Sequence, residues 1–258
     1  MTPESFVEPA ICVENLVAGY DDNLIFDKLN FQVQRGELFV ILGGSGCGKS
    51  TLLRLLIGLK SPAAGRILVN GVDIAKAGEN AMQGVRTGIG VLFQSGALFG
   101  SMTLAENVAL PLQEYTDLPP EAIDRIVSMK LAMVSLVGHE NHYPSELSGG
   151  MVKRAGLARA MALDPAILFF DEPSAGLDPI TAAELDQLIK DLNRGLGTTM
   201  VVVTHELESI MAIADRVIML DAGKKGIIAE GDPRELKKHS QDPLVRSFFN
   251  RKPLKNVL

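Results

Sequence analysis

Cysteine, aromatic side chains and long apolar runs are all scarce in this 258-residue sequence. Its two cysteines, Cys12 and Cys47, are too few for a disulfide framework, so we expect reduced thiols in a cytosolic protein. No uncharged apolar stretch reaches the roughly 18 residues that a membrane-crossing helix needs. The first ten residues also lack the basic and apolar regions of a secretory signal. The sequence therefore predicts a soluble protein without a membrane span.

Positive charge is in the minority, because 25 Lys and Arg residues stand against 31 Asp and Glu residues and the net charge is -6. This balance argues against a protein that binds nucleic acid through a general basic surface. Apolar residues make up 47% of the chain and charged residues 22%, which is enough to build a core. At about 150 residues per domain, the chain can form one large or two small domains.

Strand and helix patterns alternate along much of the chain. Residues 11–42 contain apolar strands separated by turns, and residues 103–163 contain apolar spacings of three and four that are typical of helices. Further on, Ile167–Phe170 and Met200–Val203 are continuous apolar runs with a helical pattern at 179–194 between them. Buried strands joined by helices form parallel sheets. The sequence therefore predicts an α/β core with a β-rich N-terminal part and a helical insertion.

A glycine-rich segment between an apolar strand and an apolar helix is the strongest local signal. Residues 43–50, hereafter the phosphate loop, read Gly-Gly-Ser-Gly-Cys-Gly-Lys-Ser and fit the pattern G-x-x-x-x-G-K-[ST]. Glycines let backbone N–H groups point at phosphate oxygens, and the following helix adds its positive N-terminal end. Lys49 can then reach the β- and γ-phosphates of a nucleotide, and the Ser50 hydroxyl can bind Mg²⁺. The predicted nucleotide-binding residues of this region are Gly43, Gly44, Ser45, Gly46, Cys47, Gly48, Lys49, Ser50 and Thr51.

Two adjacent carboxylates follow the apolar run Ile167–Phe170. Asp171 and Glu172 would then lie at the carboxyl edge of a parallel sheet, where ligands of α/β proteins bind. In that position Asp171 can hold Mg²⁺. Glu172 can act as the general base that activates water, a role worth about 10²–10⁴ in rate. Together with the phosphate loop, this pair predicts a nucleoside triphosphatase.

A third motif precedes the acidic pair. Residues 147–151, hereafter the signature segment, read Leu-Ser-Gly-Gly-Met at a helix start, where a hydroxyl and free N–H groups can face an anion. With the first two motifs it resembles the ATP-binding subunits of ABC (ATP-binding cassette) systems, whose signature usually reads L-S-G-G-Q, so Met151 departs at the last position. The resemblance implies an α/β, ABC-type P-loop ATPase with a RecA-like parallel-sheet core, an N-terminal antiparallel β subdomain and a helical signature subdomain. It also implies a homodimer in which Ser148, Gly149 and Gly150 complete the ATP site of the opposite subunit.

The resemblance extends to single positions outside these motifs. Gln94 corresponds to the family's glutamine that contacts Mg²⁺ and water, and His205 to the histidine that contacts the γ-phosphate and steadies Glu172. Asp178 lies in a segment that resembles the loop crossing the dimer interface, and Tyr20 resembles the aromatic residue that stacks on adenine. The resemblance thus implies ATP and Mg²⁺ as cofactors, with catalytic residues Glu172, His205 and Gln94 and metal ligands Ser50, Gln94 and Asp171.

The residues that follow the predicted strand at 89–93 indicate which type of ABC system the sequence resembles. The run Phe-Gln-Ser-Gly-Ala-Leu-Phe at 93–99, followed by Met-Thr-x-x-Glu-Asn-Val at 102–108, resembles the Mla-type ATPases, as does the run at 178–181. That likeness implies the ATP-hydrolysing subunit of an MCE-type complex that moves phospholipids between the inner and outer membranes of a Gram-negative bacterium. The implied partners are a membrane permease docking near Gln94 to Thr103, an MCE-domain lipid-binding protein and a small cytoplasmic accessory subunit. The ATPase would lie peripherally on the cytoplasmic face of the inner membrane, with no nucleic acid bound.

We predict a single ATPase domain over residues 10–240, with a helical subdomain at about 97–163 and a C-terminal tail at 241–258. Apolar residues recur in that tail at near-helical spacing, Phe248 and Phe249 among them. Two interpretations stay open for the tail. It forms a short helix packed on its own subunit, or it reaches the partner subunit because exposed phenylalanines are costly.

Three other classes of protein are alternatives to this prediction. A non-transport ABC ATPase would act on nucleic acid, ribosomes or iron–sulfur assembly, but many such proteins carry two cassettes or a long coiled-coil or zinc-bearing insertion, and this sequence has neither. The ATPase of another ABC importer is a further alternative. An inactive binding or regulatory module is disfavoured because Lys49, Glu172 and His205 are all present.

Overall fold

Strands and helices alternate along residues 8–20 and 23–252, the part of the chain that this computed structural model describes. The strands are β1 (Ile11–Tyr20), β2 (Asn23–Val33), β3 (Leu38–Gly43), β4 (Ala64–Val69), β5 (Val72–Asp73), β6 (Ile89–Leu92), β7 (Ile167–Asp171), β8 (Thr199–Val203), β9 (Arg216–Asp221) and β10 (Gly226–Gly231). The helices are α1 (Lys49–Leu56), α2 (Glu79–Thr87), α3 (Leu104–Tyr115), α4 (Pro120–Met133), α5 (Gly149–Ala160), α6 (Pro179–Leu196), α7 (Leu207–Ile213), α8 (Pro233–His239) and α9 (Pro243–Asn250). This is the predicted α/β organisation.

The larger sheet has six strands in the order β10-β9-β3-β8-β7-β6. The strands from β9 to β6 are parallel, and β10 pairs antiparallel with β9 at the edge. Successive side chains of a strand point to opposite faces, so Val40 packs into the core on one face while Phe39 and Ile41 pack into the core on the other. A strand covered on both faces needs a continuous apolar run, and Leu38–Leu42 provides one.

The smaller sheet is antiparallel, in the order β2-β1-β4-β5. It shares a core with one face of the larger sheet, to which Leu16 of β1, Phe26 of β2 and Leu52 of α1 contribute. Helix α1 contacts β4 of the smaller sheet and β3, β7 and β8 of the larger one. The phosphate loop, which leads into α1, is therefore fixed from two sides.

Helices α3, α4 and α5 pack together within the core on the other face of the larger sheet. Helix α3 begins at a capping box in which Thr103 and Glu106 each accept a hydrogen bond from the other's main-chain N–H. In α4, Ile123, Val127 and Leu131 are buried, as their spacing predicts. Among the described residues, no helix is both long and apolar enough to cross a lipid bilayer.

Helix α2 has no counterpart in the sequence analysis. It buries only Met82 and Val85. Two buried positions do not give the repeating apolar stripe from which an amphipathic helix is recognised. The helix lies on the surface and takes no part in the site described below.

The C-terminal residues that the structure describes pack on their own chain. Helix α9 buries Phe249, whose ring meets that of Phe248 edge-on with centroids 5.4 Å apart. Arg251 then pairs with Glu208 of α7 at 2.9 Å. These contacts favour the first of the two interpretations for this part of the tail, whereas residues 253–258 lie outside the described residues.

Candidate active site

The carboxyl ends of four neighbouring parallel strands meet along one edge of the larger sheet. β3 ends at the phosphate loop, and β8 is followed by His205. β7 ends at Asp171, next to Glu172, and β6 is followed after one residue by Gln94. The fold thus brings the three predicted catalytic residues and the phosphate loop to the edge where ligands of parallel sheets bind.

The backbone of the phosphate loop takes conformations that favour glycine. Gly48 has φ of +100°, and a Cβ atom there would lie 2.5 Å from a side-chain carbon of β2. A Cβ atom on Gly43 would lie 2.5 Å from the main-chain oxygen of Leu220. A Cβ atom on Gly44 would meet nothing within 4 Å. The base of the loop is therefore tightly packed, while its outer rim is open to a ligand.

The start of α1 is open to an anion. Its N-cap residue is Gly48, and no side chain caps it. The first N–H groups of a helix have no partner within the helix, so those of α1 are available to phosphate oxygens. Lys49 Nζ donates to the main-chain oxygens of Gly43 at 2.9 Å and Gly44 at 3.3 Å, which keeps the ammonium group at the loop.

The remaining side chains of the loop differ in exposure. Ser45 and Ser50 are exposed, and Thr51 is buried. Cys47 is also buried, and burial raises the pKa of its thiol. A neutral thiol fills space beneath the loop, whereas the Ser50 hydroxyl is accessible to a ligand.

Contacts of both the main chain and the side chain hold Glu172 in place. Its φ of 47° lies in the left-handed region, and its N–H donates to the main-chain oxygen of Val203 at 2.8 Å. Its Oε1 lies 2.8 Å from Nδ1 of His205, whose side chain is 62% exposed. Its Oε2 is buried and has no hydrogen-bond partner among the described residues. This oxygen is suited to accept a proton from a bound water.

Asp171 adds a second carboxylate beside Glu172. Burial, and after it the charge of Glu172, raises the pKa of Asp171. Two neighbouring half-buried carboxylates repel each other, and a divalent cation would relieve that repulsion. Hydroxyl, amide and carboxylate oxygens are also the donors that Mg²⁺ prefers. The predicted set of Ser50, Gln94 and Asp171 therefore fits this metal.

A buried lysine of α5 contacts this edge and was missed by the sequence analysis. Lys153 Nζ donates to the main-chain oxygen of Gln94 and lies 3.5 Å from that of Glu172. Burial lowers the pKa of Lys153, while the charges of Asp171 and Glu172 oppose that effect. Its position in the sequence could have identified it as buried. Lys153 lies three residues after Gly150 and so shares a buried helix face with it.

The signature segment and Asp178 lie at the starts of helices α5 and α6. Ser148 Oγ accepts a hydrogen bond from the Met151 N–H at 3.3 Å, so the hydroxyl oxygen caps its own helix while the hydroxyl hydrogen can still be donated. Asp178 likewise caps α6, accepting from the N–H groups of Ile180 and Thr181 at 3.1 Å each. Between described residues, no hydrogen bond joins the signature segment to the phosphate loop. Within one chain, the described hydrogen bonds of Ser148 and Asp178 are therefore those that cap α5 and α6.

Tyr20 lies beside α1 at the end of β1. Hydrogen bonding with Thr51, and next with Arg54, lowers the pKa of its phenol. Lys60 Nζ lies 3.9 Å from the centroid of the ring and covers one of its faces. Only the other face is then open for the predicted stacking on adenine.

A glycine-rich loop between a buried parallel strand and a helix, with a carboxylate pair on a nearby strand, defines a P-loop nucleoside triphosphatase. The family model described as ABC transporter matches residues 26–175, which is more than half of the chain. The chain belongs to the ABC transporter family, and it is an ATPase of that family.

Relatives of known name are similar over nearly the whole chain. A protein of Haemophilus influenzae named intermembrane phospholipid transport system ATP-binding protein MlaF is 46% identical, covering 92% of this chain and 89% of its own length. The Escherichia coli protein of the same name is 46% identical over 88% and 83%. A Mycobacterium leprae protein named probable ribonucleotide transport ATP-binding protein mkl is 44% identical over 93% of this chain but only 69% of its own length. These similarities confirm the likeness to Mla-type ATPases.

Solved structures support the same fold. The ATP-binding cassette MJ0796, solved as a dimer bound to ADP and phosphate in a post-hydrolysis state, superposes with a TM-score of 0.78 at 30% identity, covering 86% of this chain and 98% of its own. The cbiO1 protein of Clostridium perfringens, part of an ABC transporter complex, superposes with a TM-score of 0.83 at 29% identity over 91% and 92%. The predicted ABC-type P-loop fold is confirmed.

Proposed function

We propose that this chain hydrolyses ATP to power a complex that moves phospholipids between the inner and outer membranes of a Gram-negative bacterium. The observation that carries the proposal is the 46% identity, over 92% of the chain, to a protein named for that transport. Mycobacterial relatives at 44% identity have a name that specifies another cargo. The cargo is therefore tested separately from ATP hydrolysis.

The phosphate loop is the proposed site for the triphosphate of ATP. The uncapped N–H groups of α1 and the Lys49 ammonium would bind the phosphate oxygens, and the open face of Tyr20 would stack on adenine. Ser50, Gln94 and Asp171 would hold Mg²⁺, which when bound neutralises phosphate charge.

Glu172 is the proposed general base. Its buried Oε2, which has no partner among the described residues, would accept the proton of the attacking water. His205 keeps the other oxygen in place through the 2.8 Å contact with Oε1. Gln94, on the neighbouring strand end, would orient the water from the opposite side.

A second copy of the chain would complete each ATP site. The signature segment starts a helix that can bind phosphate, yet it is not joined to the phosphate loop of its own chain. A head-to-tail dimer would bring Ser148, Gly149 and Gly150 of one copy to the triphosphate held by the other, with Asp178 at the interface. The dimeric state of the MJ0796 cassette, at 30% identity, supports this arrangement.

The remaining parts of the proposal concern partners and location. The residues from Gln94 to Thr103 would receive a membrane permease, supported by the 51% exposure of the Phe99 side chain within that stretch. An MCE-domain lipid-binding protein and a small cytoplasmic accessory subunit would complete the complex at the cytoplasmic face of the inner membrane. We further propose one ATPase domain at 10–240, with the helical subdomain at 97–163 and the tail at 241–258.

The hydrolytic part is tested with Glu172→Gln in the full-length chain. We expect ATP affinity to stay within about threefold, turnover to fall by about 10²-fold or more, and ATP to drive the variant into a long-lived dimer measured by light scattering. Exposed Glu121→Gln on α4 is the matched control and keeps normal turnover. Rapid hydrolysis by Glu172→Gln would remove the general-base assignment, and a variant that stays monomeric in ATP would contradict the shared site.

The cargo is tested by purifying the chain with its membrane partners and identifying the bound proteins and lipids by mass spectrometry. Reconstituted into two vesicle populations, the complex should move a labelled phospholipid only when ATP is present, and the Glu172→Gln complex should not. A complex that retains and moves ribonucleotides instead would show that the phospholipid proposal is wrong, while leaving the ATPase assignment intact.

A further inference from the structure

Lys153 of α5 is a buried cation whose partners are main-chain oxygens rather than a carboxylate. The residue is 5% exposed. Its ammonium donates to the main-chain oxygen of Gln94 and lies 3.5 Å from that of Glu172. Among the described residues, no Asp or Glu oxygen lies within ion-pair distance of it. A buried lysine is rarely retained without a partner, so its place at two catalytic residues needs a reason.

The two oxygens that Lys153 contacts belong to catalytic residues. One is the main-chain oxygen of Glu172, the proposed general base, and the other is that of Gln94, which is proposed to orient the water. The backbone of Glu172 already has φ of 47°, a conformation that surrounding contacts must hold. On one side its N–H is bound to Val203 of β8. On the other side its carbonyl accepts a hydrogen bond from the Ala175 N–H at 3.2 Å and lies 3.5 Å from Nζ of Lys153 in α5. Glu172 thus lies between β8 of the larger sheet and helix α5, hereafter the signature helix.

The same helix begins at the signature segment. Ser148 is the N-cap of α5, and Lys153 follows five residues later, which is about 7.5 Å along a helix axis. A rigid helix of this length moves as one body. If a phosphate group displaces the start of this helix, Lys153 is displaced with it. The contacts of Lys153 then shift the backbones of Gln94 and Glu172.

We propose that Lys153 is a positioning residue that links the signature helix to the catalytic edge of its own chain. This inference rests on the proposed function, because the phosphate that contacts Ser148 would be bound by the second copy. Docking of α5 on that phosphate would then set Glu172 and Gln94 for the nucleotide of the first copy. The two ATP sites of the dimer would communicate through this one side chain.

Lys153→Met in the full-length chain is the test, since methionine keeps most of the volume and removes all three donors. We expect kcat to fall by about 10- to 100-fold through misplacement of the base, while KM for ATP changes less than about threefold. Lys153→Gln, which keeps two N–H donors on a shorter side chain, should recover at least part of that loss. A wild-type kcat for Lys153→Met, or equal kcat values for the Met and Gln variants, would overturn the proposal.

A second readout separates positioning from folding. In the Glu172→Gln background, adding Lys153→Met should leave ATP-driven dimerisation unchanged, because the start of α5 and the phosphate loop are intact. Loss of that dimerisation would mean that Lys153 only stabilises α5, and would also overturn the proposal. Lys130→Met is the matched control, since Lys130 is equally buried but pairs with Asp164 away from the site. It should lower the melting temperature without changing kcat per folded molecule.

Failure of the general-base role of Glu172 and failure of the positioning role of Lys153 give different results. If Glu172→Gln turns over ATP rapidly, the proposed general base is wrong whatever Lys153 does. If Glu172→Gln is inactive and dimerises in ATP while Lys153→Met keeps the wild-type kcat, only the positioning role is wrong.

Discussion

Two helices of this molecule begin in a glycine-rich segment, and they differ in what satisfies their first N–H groups. The N-cap of α1, Gly48, is left-handed and contributes no capping side chain. The N-cap of α5, Ser148, accepts a hydrogen bond from the Met151 N–H at 3.3 Å. The first N–H groups of α1 are therefore available to a ligand. At the start of α5 one N–H group is already bonded to Ser148, and a charged acceptor such as phosphate would form a stronger hydrogen bond.

The surroundings of the two helix starts differ as well. The start of α1 lies at the sheet edge that carries Asp171 and Glu172, so the chain by itself supplies both a phosphate site and the acids beside it. The start of α5 rests instead on α6, where a Cβ atom on Gly150 would lie 2.5 Å from Thr181. One chain thus contains two separate helix starts that can bind phosphate, and a dimer in which they face each other would complete each ATP site.

Lys49→Ala tests the first helix start and should have the largest effect. The ammonium at the phosphate loop would be lost, and removing a preorganised donor to developing charge lowers kcat by about 10²–10³-fold. Nucleotide affinity should also weaken, by about tenfold or more, because each charge-assisted hydrogen bond contributes about 1.5–3 kcal/mol. Turnover assays and isothermal titration with ATP measure the two effects. Lys76→Ala, with a side chain 73% exposed, is the control, and unchanged ATP affinity in Lys49→Ala would contradict the loop assignment.

Ser148→Arg tests the second helix start. The larger side chain would keep a second copy from closing on the start of α5, so we expect kcat to fall by about 10²-fold. Binding of ATP to the isolated chain should be unchanged, because the signature segment is not joined to the phosphate loop of the same chain. Ser128→Arg, on an exposed position of α4, serves as the control. If Ser148→Arg weakened nucleotide binding to the monomer, the contrast between the two helix starts would fail.

The catalytic edge could be predicted from sequence because local patterns fix it. A continuous apolar run such as Ile167–Phe170 identifies a buried strand, and the residue after a parallel strand lies at the ligand-binding edge whatever the rest of the fold does. Asp171 is the last residue of β7, and Gln94 lies two residues after the end of β6. Their convergence therefore needed only the strand order, which the family resemblance supplied.

The contacts between elements could not be predicted in the same way. Lys153 reaches Gln94 only because α5 packs across the end of β6, and nothing in the local pattern of α5 specifies that neighbour. Lys60 covers Tyr20 for a similar reason, since Tyr20 ends β1 and Lys60 lies in the loop between α1 and β4. Periodicity identifies which face of an element is buried, but it does not identify the element that buries it.

A pair of glycine variants tests how firmly α6 supports the second helix start. In Gly150→Ala the new methyl group would meet Thr181, whose hydroxyl donates to Asp178 at 2.6 Å and so resists rotation. Overpacking of this kind costs about 1–3 kcal/mol of unfolding free energy. In Gly149→Ala the methyl group would make an ordinary 3.5 Å contact with Leu177, and alanine favours a helix by up to about 1 kcal/mol. Urea unfolding of both variants measures the difference, and equal stabilities would show that α6 does not restrain α5 there.

The supporting helix α6 also holds a buried carboxylate that should make it sensitive to pH. Asp186 is 5% exposed, and its Oδ1 has no hydrogen-bond partner among the described residues. Burial raises the pKa of this carboxyl from 3.8 to about 6, with the charge of Glu206 acting in the same direction and a hydrogen bond from Ser209 opposing it. A raised carboxyl pKa means that the folded chain binds the proton more tightly than the unfolded chain. The native state therefore loses stability as the pH rises through this interval.

Asp186→Asn should remove that loss, and it is the smallest of the four expected effects. Because one pKa unit corresponds to about 1.4 kcal/mol and the amide replaces the carboxyl hydrogen bonds imperfectly, we expect a gain of about 1–2 kcal/mol at pH 8 and almost none at pH 4. Unfolding in urea at several pH values measures it, with exposed Asp124→Asn as the control. If the gain were the same at pH 4 and pH 8, charge would not be its cause.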